Sequence, residues 1–299
     1  MNITEKYRGG NAIPDLEVID FWKESLKDLT DVILTDHYSF PNNGKLFTDK
    51  FDEYIKASKL NNLIGLDEYE HRSYVHGTSQ TFDSFWMRNH DKRFRCFKGE
   101  FFYHKANWKK FHKWCYIEDD RINTNDAVVI SLPFSDYGKE HPKMRELLKE
   151  CEMFGVPVLI DCAYYLIGEG IEFDFTEYGC IEDITFSLSK GFHLSNRLRG
   201  GVRYTKKYYD DNIHIMNEWN QYSHLSAHLG TKLLSHFPSD YTVNKWKDKQ
   251  LQFCKENNLK PSDCVIFALE TDGDKYKELN RGTEVNRLCI SYVIGDKIE

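Results

Sequence analysis

The sequence predicts an α/β protein: a mainly parallel sheet sandwiched by helices, with a smaller C-terminal α+β domain. Three observations carry this. Residues 126–132 (DAVVISL) form an apolar, β-branched run, VPVLID at 156–161 forms another, and an amphipathic segment separates them. Strand, helix and strand within about 35 residues make a crossover unit, which requires parallel strands covered on both faces. After residue 205 the texture turns to polar helices followed by short strands, without further alternation.

Each element has its own local reason. RSYVHG at 72–77 reads as a strand running into a helix, TSQTFDSFWM, with Thr78 or Ser79 as its cap. Pro142 opens PKMRELLKECEMF, where Met144, Leu147, Leu148 and Cys151 recur at helical spacing; Gly155 stops that helix and Pro157 follows. ITFSLS at 184–189 is a third buried strand. Beyond it, KLLSHF and KWKDKQLQFCKEN predict helices, and CVIFALE and RLCISYVI predict short strands. The expected division is a large domain over 30–204 and a small one over 205–299, joined by the N-terminal segment 1–29.

Composition excludes several classes. Of 299 residues, 40% are hydrophobic and 29% charged, as in globular proteins. No run approaches the roughly 18 apolar residues of a membrane span, and MNITEKYRGG lacks the apolar core of a signal peptide, so the expectation is a cytoplasmic protein. Eight cysteines without a CxxC pair predict reduced core thiols and no structural metal. A net charge of −7 argues against a nucleic-acid binder.

One stretch departs from that average. Between Arg88 and Lys113 stand nine Lys or Arg and only two acids, Asp91 and Glu100, among seven Phe, Tyr or Trp that include Phe94, Phe97 and Trp108. Two readings stay open here: a dock for an anionic substrate or single-stranded nucleic acid, and a half-buried strand with a basic solvent face followed by an amphipathic stretch.

Ligands bind beyond the carboxyl ends of parallel strands, so the residues just after each predicted strand matter most. Those residues are Gly77-Thr78-Ser79 after SYVH, Ser135 in the loop after VVISL, Asp161 at the end of VPVLI, and Lys190 after ITFSLS. A lysine, a carboxylate, a hydroxyl-bearing helix start and an arginine are together what one cofactor, pyridoxal phosphate (PLP), requires.

From about Tyr38 to Arg287 the sequence resembles the fold-type I PLP enzymes, specifically class I/II aminotransferases of the aspartate aminotransferase kind. The resemblance rests on Asp161-x-Ala163-Tyr164 and, 29 residues after Asp161, on Ser187-x-Ser189-Lys190. It implies that Lys190 is the Schiff-base lysine, that Asp161 meets the pyridine nitrogen, and that Tyr164 meets the ring 3-oxygen. Ser187, Ser189, Gly77, Thr78 and Ser79 are implied to bind the phosphate. The family's phosphate arginine falls where Arg197 and Arg199 flank Leu198, and the Arg199-Gly200-Gly201 ending favours Arg199. Ser135 stands where the family has an asparagine toward the 3-oxygen. Arg287, in RLCIS, is implied to hold a substrate α-carboxylate. Tyr38 resembles the arm that reaches the phosphate of a neighbouring subunit, which implies a homodimer. For the aromatic stacked on the ring, Phe101, Phe102, Tyr103 and His104 compete, and Phe102 is favoured; His193 reads as a packed or solvated histidine.

The implied activity is an aminotransferase taking amine and keto-acid substrates. A decarboxylase, lyase or acyl-transferring synthase would use the same cofactor residues, and a non-catalytic relic of the fold is the third reading, against which Lys190, Asp161 and Tyr164 argue.

Overall fold

The computed structural model describes residues 3–27, 29, 42–108 and 113–298. Its strands, in chain order, are β1 (Asn62–Ile64), β2 (His71–Val75), β3 (Arg93–Cys96), β4 (Trp114–Tyr116), β5 (Asp126–Ser131), β6 (Val158–Cys162), β7 (Glu172–Asp174), β8 (Ile181–Ser187), β9 (Gly201–Thr205), β10 (Lys260–Pro261), β11 (Phe267–Glu270) and β12 (Asn286–Cys289). Seven of them form one sheet in the order β2-β9-β8-β6-β5-β3-β4, in which only the β9 pairings are antiparallel. β10, β11 and β12 form a small antiparallel sheet, and β1 pairs with β7.

The large sheet is covered on both faces, as its apolar strands require. Ala127 and Val129 of β5 point to Phe82, Phe85 and Trp86 of the helix Thr78–Arg88. Val128 and Ile130 point to the opposite face, toward the helices Asn43–Lys56, Met144–Phe154 and His224–His236. Met144, Leu147, Leu148 and Cys151 are the buried positions of their helix, which ends at Gly155 in the left-handed region (φ 61°). The two main cores do not divide at residue 204. Leu229, Leu233 and Leu234 pack with the large sheet, whereas the core of the small sheet starts at Val243 and takes in Tyr7 and Ile13.

Several sequence expectations are corrected. The cap of Thr78–Arg88 is Gly77 (φ 80°), with no side-chain capping bond from Thr78 or Ser79. The strand expected over 184–189 begins at Ile181 and ends at Ser187, where the chain tightens into a 3-10 turn through Lys190. CVIFALE is strand only from Phe267, and RLCISYVI leaves the sheet after Cys289 to form the short helix Ser291–Ile294.

The basic stretch forms no continuous cationic face among the described residues. β3 is only four residues long, and its arginines turn inward. Arg95 is 0% exposed and pairs with Asp126 at 2.7 Å, and Arg93 meets the same carboxylate at 2.6 Å. Arg88 is bound by Asp183 and Asp211. Lys109 and Lys110 lie outside the described residues. All eight cysteines are free thiols, six of them buried, and no described helix is long and apolar enough to cross a membrane.

Candidate active site

A cavity of about 800 Å³ opens at the carboxyl edge of the large sheet. The parallel strands deliver their following residues to that edge. β2 delivers Thr78 and Ser79, β3 delivers Glu100 to Tyr103, β5 delivers Ser135, β6 delivers Asp161 and Tyr164, and β8 delivers Ser187, Ser189 and Lys190. β9 runs the other way, so the residues just before it, Arg199 among them, fall at the same edge. Every site residue expected from the sequence lines this cavity except Gly77, which lies directly beneath Arg199, and Tyr38, which is outside the described residues.

One end of the cavity is built for an anion. The helix Thr78–Arg88 starts there without a side-chain cap, the Gln80 N–H turning back to Gly77 O at 3.2 Å, and a helix start of this kind favours an anion. Arg199 Nη2 donates to Ser79 Oγ at 2.9 Å, and the hydroxyls of Ser187 and Ser189 are 2.7 Å apart. A Cβ on Gly77 would come within 3.4 Å of Arg199 Nη2, and its φ of 80° suits glycine. Arg197 is exposed and does not line the cavity. Of these two arginines, only Arg199 lines the cavity.

The middle of the cavity holds the titratable groups. Asp161 is 4% exposed, and its Oδ1 accepts the Ala163 N–H at 3.0 Å. Burial, and then the charge of Glu100, push its carboxyl up to about 8, against the Ala163 N–H and Lys190. Lys190 Nζ donates to the carbonyl of Gly10 in the N-terminal segment. That segment passes so close that a Cβ on Gly10 would stand 2.8 Å from Tyr164 Oη.

The far end is rich in guanidinium. Arg287 Nη1 donates to Ser135 O at 2.6 Å and to Ser135 Oγ at 3.3 Å, and Nη2 donates to Gly9 O at 2.8 Å. Its Cζ sits 4.1 Å from the Phe267 ring centroid, and its buried Nε has no partner among the described residues. Arg281 Nη1 donates to Ser135 Oγ at 3.0 Å and to Asp136 Oδ1 at 2.9 Å. The Ser135 hydroxyl thus accepts from two arginines and keeps its own proton to give.

Among the competing aromatics, Phe101, Phe102 and Tyr103 line the cavity and His104 does not. His104 is fully buried against Phe82, and that burial lowers its pKa to about 3. Tyr103 Oη is bound to Asp83 at 2.7 Å. Phe102 is 71% exposed and Phe101 37%, so Phe101 is the better covered of the two.

Glu100, Arg281 and the Gly9-Gly10 segment were not singled out from sequence. Glu100 did carry a signal, as one of only two acids in the basic stretch. The other two carried none, because they come from loops far away in the chain.

No protein-family model matches the sequence, and no curated protein matches it. Solved structures do match over nearly the whole chain. The histidinol-phosphate aminotransferase from Clostridium acetobutylicum aligns at 17% identity and a TM-score of 0.62, covering 98% of this chain and 94% of that one. The tyrosine aminotransferase from Leishmania infantum aligns at 13% and 0.63, covering 95% and 87%. The L-threonine-O-3-phosphate decarboxylase from Porphyromonas gingivalis aligns at 15% and 0.61, covering 94% and 92%. The chain has the fold these enzymes share, which is the fold the sequence resemblance implied.

Proposed function

We propose that the chain is a PLP-dependent aminotransferase acting on an amino acid or a related amine. One observation carries the reading: a lysine, a buried carboxylate, a tyrosine and an uncapped helix start with Arg199 converge on one cavity. The residues fit the cofactor. The helix start, Ser79, Ser187, Ser189 and Arg199 would hold its phosphate, Asp161 its ring nitrogen, Tyr164 its ring oxygen, and an aromatic of the 101–103 loop its ring face. Bound there, PLP supplies an aldehyde carbon that joins amines and a ring that accepts electrons.

The chain's own residues then do the rest. Lys190 presents its amine to the aldehyde carbon and, once displaced, moves a proton at the substrate α-carbon. Asp161 holds the proton on the ring nitrogen by opposite charge. Arg287 orients a substrate carboxylate through N–H groups that Ser135 and Gly9 leave free. A homodimer belongs to the proposal, with Tyr38 reaching the partner's phosphate site; light scattering tests it, and a fully active monomer would remove it.

A second reading keeps the cofactor and changes the bond broken, and the likeness to a decarboxylase structure at a comparable TM-score favours keeping it. Adding an amino acid and 2-oxoglutarate to the PLP-loaded protein separates the two. Transamination cycles the visible band between two forms without CO2, and decarboxylation releases CO2. In Lys190→Ala the protein should stay folded yet lose the band that borohydride erases, along with all turnover. A mutant that keeps both refutes the assignment of Lys190.

A further inference from the structure

Glu100 has no part in the reading above, yet it stands beside the group on which that reading depends. Its carboxylate is 6% exposed and lines the same cavity as Asp161. Ser131 clamps it, donating its N–H to Oε1 at 2.7 Å and its hydroxyl to Oε2, and the Phe101 backbone adds a further bond. Ser131 is the direct cross-strand partner of Asp161 in the β5–β6 pairing, and the next N–H, of Leu132, donates to Asp161 O at 2.9 Å. The clamp therefore holds a second buried carboxyl one strand away from the first.

The surroundings supply one cation to each carboxyl, and neither cation is bonded to the carboxylate it faces. The amine facing Asp161 is that of Lys190, which donates to Gly10 O. The guanidinium facing Glu100 is that of Arg281, which meets only Glu100's backbone carbonyl, at 2.7 Å, and is already paired with Asp136. The neighbouring thiols Cys96 and Cys162 are pushed far up by burial and then by these carboxyls, so they stay neutral and add no charge.

We infer that Glu100 and Asp161 form a coupled carboxyl pair that carries a single negative charge near neutral pH, with Glu100 holding the proton whenever a cationic ring nitrogen faces Asp161. Two buried carboxylates in one cavity, one of them held by Ser131 on the strand beside Asp161, cannot both ionise cheaply, so the ionised form of one favours the protonated form of the other. Both titrate high, Glu100 at about 7 and Asp161 at about 8, with burial the largest cause in each. Glu100 is thus a positioning residue: by staying neutral it leaves Asp161 free to be the anion. The pair rests on the Ser131 clamp and the shared cavity, together with the charge of Glu100 that raises Asp161; its role rests on the PLP reading.

The test is a carboxyl 13C NMR titration of the cofactor-free full chain as wild type, Glu100→Gln and Asp161→Asn. The wild type should show two coupled steps raised above the ordinary carboxyl range, which the two variants assign apart from the other raised carboxyls, Asp83, Glu182, Asp183 and Asp263. In Glu100→Gln the Asp161 step should fall by about one pH unit or more, and in Asp161→Asn the Glu100 step should fall likewise, because coupling is reciprocal. If the remaining step does not move in a folded variant, there is no pair. Should Glu100→Gln fail to fold, Asp161→Asn decides. Adding PLP to the wild type should remove the proton from Asp161 and leave Glu100 protonated near pH 7; loss of the Glu100 proton instead overturns the role. Failure of PLP to bind refutes the cofactor reading and leaves the titration intact.

Discussion

Arg199 and Ser79, 120 residues apart in sequence, are joined by a 2.9 Å bond from Nη2 to Oγ. The contact ties the start of the antiparallel strand β9 to the start of the helix that follows β2, and so closes the anion end of the cavity.

Arg199→Ala should weaken PLP binding by roughly 10- to 100-fold, since a charge-assisted bond contributes about 1.5–3 kcal/mol. Arg197→Ala, a change outside the cavity, should alter it less than about twofold. Equilibrium titration with PLP and with pyridoxal checks the cause: the Arg199 effect must vanish for the ligand without a phosphate. An equal loss with pyridoxal would mean that Arg199 acts on the fold instead.

Asp126→Ala should cost about 3–5 kcal/mol in urea denaturation, because it strands Arg95, which is 0% exposed, without its 2.7 Å partner. Replacing Arg95 and Asp126 together by Met and Leu should recover most of that loss. A cost below about 1 kcal/mol for the single variant would show that the carbonyls of Cys115, Tyr116, Asp120 and Arg121, to which Arg95 also donates, suffice to hold it.

Arg287→Ala should raise KM for α-amino acids at least about tenfold and lower kcat as well, if the carboxylate aligns the α-carbon bond. Amines without that carboxylate should be unaffected. A flat response to amino acids would move the carboxylate contact elsewhere, with Arg281 the next cation in the cavity.

The Glu100–Asp161 site gives a stability prediction with a definite sign. The folded values, about 7 and about 8, lie above the ordinary 4.5 and 3.8, so across that window the folded chain binds more protons than the unfolded one. The contribution of these groups must therefore fall as pH rises from about 4 to about 8. Urea denaturation of the cofactor-free protein at several pH values, with the Glu100→Gln/Asp161→Asn double variant as reference, measures it. A double variant that loses stability with pH as steeply as wild type contradicts the prediction.

The family resemblance added Tyr164 and Ser135; local pattern by itself determined the strand–helix–strand core, the helix ending at Gly155, and the strand-end residues Lys190 and Asp161. These were legible because burial on both faces demands unbroken apolar runs, and because a parallel sheet delivers whatever follows each strand to one edge. Tertiary structure decided whatever depends on a partner across space. The arginines of β3 look solvent-facing by alternation but turn inward because Asp126 waits on the next strand. Arg199 enters the cavity and Arg197 does not, because β9 is antiparallel and the chain just before it reaches the edge, while Arg197 still belongs to the preceding 3-10 turn. Glu100, Arg281, Gly9 and Gly10 join the site through contacts from loops more than 100 residues apart, and no local periodicity encodes such contacts.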